Sequence, residues 1–174
     1  MMTKETIFRI IITLTIVLIT QLKAIEYYGE LSSFLIIILL IFDLFEKNHF
    51  NDSKPELIYY LSWGTIGLST FLIRKSYIGP YSPIFLILII KLVTLLLYYL
   101  KYKSLCVTRT ILSKLCLAAL ALYFIELLAN STHGLGSTTL FWTKLSSAEL
   151  FLILLTKKDR IKYKWSILDS SWKK

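Results

Sequence analysis

Apolar runs separated by short polar connections set the pattern of this chain. Six runs stand out, at residues 7–20, 32–45, 57–73, 84–100, 111–129 and 140–156. A helix needs about 20 apolar residues to cross the hydrocarbon core of a bilayer. The runs are therefore read as six transmembrane helices. The first follows a polar start. The stretch after it, residues 21–26 (Gln-Leu-Lys-Ala-Ile-Glu), holds no small-residue cleavage site, so the run is read as a span and not as a cleavable leader.

The connections are polar in different ways. Residues 46–56 carry Lys47, Asn48, Asn51, Asp52, Ser53, Lys54 and Pro55 and read as solvated. Residues 74–83 hold Gly79, Pro80 and Pro83, which break helices. Residues 101–110 are basic, and residues 130–139 contain Gly134 and Gly136 among Ser and Thr. Gly64 and Gly67 in the third run would permit close helix contact. Lys144 and Glu149 interrupt the sixth run. The expected fold class is all-α: a polytopic membrane helix bundle over residues 1–156, with a basic amphipathic tail at 157–174.

Composition strengthens this reading. Of 174 residues, 56% are hydrophobic and 18% charged, with mean hydropathy +0.65. Soluble domains run at about 45–50% apolar and about 25% charged. A single-domain integral membrane protein follows, with no room for a large soluble domain between spans. The net charge of +9 is unevenly placed. With six spans, fifteen Lys and Arg fall on one side of the bilayer and four on the other, with Lys91 inside a span. The positive-inside rule then puts both termini in the cytoplasm, in a bacterial inner membrane or an organellar membrane. Five spans would break the bias. The tyrosine pairs at 27–28, 59–60 and 98–99 fall near span ends, where aromatic belts form.

In the tail, Ile161, Trp165, Leu168 and Trp172 make one helical stripe among basic residues. That pattern suits a membrane surface with anionic headgroups. A disordered positive-inside tail is the alternative. Membrane lipids are the expected partners, with a homodimer or a membrane-complex partner also open. Nucleic acid is not expected, because topology accounts for the charge. Cys106 and Cys116 form no CxxC motif and read as small apolar residues. His49 and His133 lie in different loops and do not suggest a haem or zinc site.

Chemistry concentrates in few places. Asp43 and Glu46, three residues apart at the end of the second run, share a helix face. They could form a cation or metal site, or reach the interface as a solvated acid pair. Arg9 could bind a headgroup phosphate or anchor the first span. Lys91 lies mid-span, where insertion costs about 2.5–3.5 kcal/mol. It should face the bundle interior and meet Asp43, Glu126, Glu149 or a substrate phosphate.

The segment Thr6-Ile-Phe-Arg9, and the second span ending Asp43-Leu-Phe-Glu46, resemble the CDP-alcohol phosphotransferase family. Its members open with an L-T-x-x-R-type segment and carry D-x2-D-G-x2-A-R-x8-G-x3-D-x3-D from the end of the second span. Lys91 falls about where a basic residue often sits in that family. Ser113-Lys114 resembles its Gly-Lys start to the fifth span. The resemblance implies six spans and divalent-cation chemistry (Mg or Mn) that releases CMP from a CDP-linked lipid or alcohol. It also implies Asp43 and Glu46 as candidate catalytic and metal-binding residues, with Arg9, Lys91 and Lys114 near lipid or phosphate.

This chain departs from the motif in several places. Lys47 stands where Gly is expected and Phe50-Asn51 where Ala-Arg is expected, and no later acids follow in the stretch beginning at Tyr59. A shortened loop could instead bring Asp52 and Glu56 opposite Asp43 and Glu46 as a rearranged metal set, although Pro55 lies inside that turn. The expected function is a membrane protein of phospholipid metabolism with a degenerate, inactive or altered site. An accessory subunit of a membrane complex and a solute-binding transporter component are the alternatives.

Overall fold

The computed structural model describes residues 4–22, 27–45, 53–73, 83–103, 110–129, 131 and 134–156. The side chains at 4, 5, 22 and 53–57 are outside the description. The described residues form six helices: α1 (Lys4–Leu22), α2 (Tyr28–Phe45), α3 (Ser53–Ile73), α4 (Pro83–Tyr102), α5 (Ile111–Leu128) and α6 (Leu135–Thr156). The tail stripe, Cys106, His49 and His133 lie outside the described residues.

The helices pack as a ring in the order α1, α2, α5, α6, α4, α3. Five of its six seams are well packed. The sixth, between α3 and α4, is nearly open, and α3 also touches α5 only lightly. Large apolar side chains cover the outside, and the interior mixes apolar with polar side chains. Leu18, Phe34, Leu92 and Leu155 point outward, while Arg9, Thr13, Thr20, Asp43, Ser69, Thr94, Glu126, Thr143 and Ser146 are buried. Several buried hydroxyls are satisfied by their own helix: Thr13 donates to Arg9 O at 2.8 Å, Thr70 to Ile66 O at 2.9 Å and Thr94 to Ile90 O at 2.7 Å. Thr20 and Ser69, 2.6 Å apart, tie α1 to α3.

Helices α2, α4, α5 and α6 are long and apolar enough to cross a membrane by length and composition. In α1 and α3 the apolar stretches, Thr6–Gln21 and Ile58–Ile73, are shorter. An integral membrane protein is consistent with this. The expected six spans thus resolve into six helices, of which four meet both criteria.

Several helix boundaries differ from expectation. Helix α6 begins at Leu135, five residues before the expected start at 140. Gly134 takes φ +85, which only glycine adopts easily. The Leu135 N–H finds a carboxylate cap on α5, where Glu126 Oε2 accepts it at 3.1 Å. Helix α3 begins at Ser53, so Pro55 sits in a first turn, where its missing N–H breaks no helical bond. Thr110 opens α5 with a capping box: Ser113 N donates to Thr110 Oγ1 at 3.1 Å, and Thr110 N donates to Ser113 Oγ at 2.9 Å.

The glycine expectation is half corrected. Gly67 does permit close packing, since an added Cβ would lie 3.0 Å from the Phe124 ring. At Gly64 the same atom would meet nothing within 4 Å. Among the described glycines the least room is at Gly29, where an added Cβ would lie 2.8 Å from the Leu128 carbonyl oxygen. The tyrosine belt also needs correction at Tyr98. It is fully buried, packed with Leu150, Ile153 and Leu154 of α6, because its position on α4 faces α6 and not the bilayer.

Candidate functional site

The polar centre of the bundle is an ion pair. Arg9, on the second turn of α1, pairs with Asp43, near the last turn of α2, and each residue is only 2% exposed. The other Asp43 oxygen accepts the Trp63 indole N–H at 2.6 Å. The Arg9 guanidinium also lies over two rings, 5.3 Å from the centroid of Tyr59 and 5.7 Å from that of Phe42. A charge pair away from water is tolerated when each partner is compensated. Here three helices contribute, with Arg9 from α1, Asp43 and Phe42 from α2, and Tyr59 and Trp63 from α3, while the buried Arg9 Nε makes no hydrogen bond among the described residues.

Lys114 stands beside this centre. Its Nζ donates to the Leu44 carbonyl at 3.2 Å. Carbonyls in the last turn of a helix have no intrahelical partner, so Lys114 caps α2. Lys91 is different. It is half-buried on α4, and among the described residues it has no hydrogen bond or ion pair. None of the carboxylates expected for it forms an ion pair with it. Asp43 holds Arg9 and Trp63, Glu126 caps α6, and Glu149 Oε2 is buried without a hydrogen bond.

Lys91 and Lys114 both line a cavity of about 160 Å³ where α3, α4 and α5 meet. Asp43, Tyr60, Trp63, Thr94 and Ser113 contribute polar edges, and Ile84, Ile87, Leu120 and Phe124 form its apolar wall. Gly64 also lines it. An engineered apolar cavity of about 150 Å³ holds a benzene molecule. The space here fits a ring or a short length of one chain.

Of the four carboxylates expected around a cation, Asp43 alone has a described side chain. Glu46 and Asp52 lie outside the described residues, as does the side chain of Glu56. Both Asp43 oxygens already accept from protein donors, and a guanidinium sits against one of them. No group of three or more His, Cys, Asp or Glu that could hold a metal ion occurs among the described residues. Three of the four carboxylates of the expected set thus lie outside the described residues, and Asp43, the one described, is committed to Arg9 and Trp63.

Sequence reasoning singled out Arg9 and Asp43 but not their pairing, which joins residues 34 apart in sequence. It missed Trp63, Tyr59 and Phe42. The signal for Trp63 was present: an indole N–H within an apolar span seeks an acceptor, and Asp43 is an acid near the end of the neighbouring run. The chain matches no family model, no curated protein and no solved structure.

Proposed function

We propose that this chain is a multi-pass membrane protein on the plan of the CDP-alcohol phosphotransferases. In this reading its acidic centre has become structural, and it serves phospholipid metabolism by binding lipid rather than by releasing CMP. The observation that carries this reading is the burial and pairing of Asp43. A catalytic carboxylate must face a cation or a substrate proton, and Asp43, 2% exposed, instead has one oxygen held by the Arg9 guanidinium and the other by the Trp63 indole N–H.

A second feature agrees. Counting the family motif on from Asp43 places its two later acids at Gly64 and Leu68. Gly64 opens onto the cavity. Where the resemblance implies a carboxylate, this chain has empty space beside apolar side chains.

The test has two arms on protein reconstituted in nanodiscs. With CDP-diacylglycerol, a panel of alcohols and Mg or Mn, CMP release should not exceed the protein-free rate, and Asp43→Asn should not change it. Solvent extracts of the purified protein should contain retained lipid in near-stoichiometric amount. Metal-dependent CMP release that Asp43→Asn abolishes would overturn the proposal.

A further inference from the structure

We infer that the cavity between α3, α4 and α5 takes the chain of a single-chain anionic amphiphile, admitted from the bilayer through the α3–α4 seam, with Lys91 as counter-ion to its headgroup. The inference rests on the lipid-binding reading above and specifies the ligand's charge, its chain number and its route.

The charge comes from Lys91. A lysine inside an apolar helix is costly unless it meets an anion or water, and among the described residues Lys91 makes no ion pair. The carboxylate among the lining residues of its cavity, Asp43, is held by Arg9 and Trp63. An anion brought in with a ligand would complete it. Lys114 lines the same space and keeps donor capacity, since its ammonium has three hydrogens and the Leu44 carbonyl takes one of them.

The chain number comes from size and lining. The wall of Ile84, Ile87, Leu120 and Phe124 suits hydrocarbon, and about 160 Å³ is too little for two chains side by side. Along α5, the ten residues from Lys114 to Phe124 span about 15 Å at the helical rise. Along α5 the lining therefore passes from the cation Lys114 to apolar Phe124, and Lys91 lines the same space from the middle of α4.

The route comes from packing. The ring of helices is well closed except between α3 and α4. Gly64 lies on α3 at the cavity, and nothing occupies the 4 Å around the position of a Cβ there. A larger side chain at residue 64 would project into open space without forcing helices apart.

Trp63 lines the cavity and is 5% exposed, so it reports on contents that bulk lipid does not reach. The experiment uses the full chain with Trp142, Trp165 and Trp172 replaced by Phe, in phosphatidylcholine nanodiscs. Chain-brominated lysophosphatidate, brominated fatty acid and brominated monoacylglycerol are titrated as quenchers. Saturable quenching by the two anionic probes is expected, and the stronger of the two identifies the headgroup as phosphate or carboxylate. Lys91→Met should weaken it at least tenfold, and Gly64→Leu should remove the saturable part. Both variants should melt no lower than the parent, because one removes an unpartnered cation and the other enters empty space.

Equal quenching by neutral monoacylglycerol would overturn the anionic assignment. Undiminished quenching in Gly64→Leu would overturn the cavity assignment. Displacement of the probe by inorganic phosphate alone at similar affinity would reduce the site to a free-ion site and overturn the chain requirement. Retained lipid in the extracts without saturable Trp63 quenching would sink this inference and leave the lipid-binding reading standing. Metal-dependent CMP release would sink that reading instead.

Discussion

Arg9 and Asp43 are the pair on which the bundle's centre depends, and their energetics are asymmetric. Removing one partner leaves a buried charge uncompensated, which costs about 3–5 kcal/mol. Arg9→Met should lower stability by that order in SDS or thermal unfolding of the purified protein. The double variant Arg9→Met/Asp43→Asn should be more stable than Arg9→Met alone. It carries no stranded charge, and the amide oxygen that replaces the carboxylate can still accept from Trp63. Trp63→Phe removes one donor from a carboxylate that keeps its ion pair, and should cost about 1–3 kcal/mol. A double variant less stable than Arg9→Met would mean that the pair is not the source of the stability.

Among the helices, a glycine sets how closely α2 approaches α5. At Gly29 an added methyl would meet the Leu128 backbone oxygen at 2.8 Å, and backbone cannot swing aside as a side chain can. Gly29→Ala should therefore spread α2 from α5 and destabilise by about 1–3 kcal/mol, the usual cost of overpacking. Gly64→Ala meets no such obstacle. It should be neutral or stabilising by up to about 1 kcal/mol, because alanine favours helix over glycine. Melting midpoints of the two variants should thus move in opposite directions or differ clearly in size. The capping box of α5 gives an independent check: Thr110→Ala should cost about 0.5–2 kcal/mol.

For the whole molecule, topology is the testable property. If all six helices cross the bilayer, both ends lie on one face, and charge bias makes that face the cytoplasmic one. Epitope tags at residues 1 and 174 should both resist protease in sealed vesicles whose outer surface is the extracytoplasmic one, and both should be cut after permeabilisation. Tags of opposite accessibility would require an odd number of crossings. Four helices satisfy length and composition by themselves, so α1 and α3 are where such a result would point. Both are tied into the ring, α1 through Arg9 and Thr20 and α3 through Trp63 and Ser69.

The run lengths were enough to place six helices near their observed positions, because an apolar stretch of span length commits the local backbone to helix whatever packs beside it. Charge placement likewise supplied an expected orientation, since it depends on counts and not on contacts. That Asp43 needs compensation could be anticipated, as an acid at the end of an apolar run must meet water or a cation, but the sequence left it between a solvated pair and a cation site. Neither its burial nor what compensates it could be read there. Arg9, Trp63 and the lid of Tyr59 and Phe42 come from three helices, and their meeting depends on how those helices rotate against one another. The same holds for Gly64 and Gly67, alike on the page and opposite in the fold, and for Tyr98, which faces α6. It holds above all for the cavity beside Lys91. A void is the space that several helices fail to fill, and no single stretch of sequence carries it.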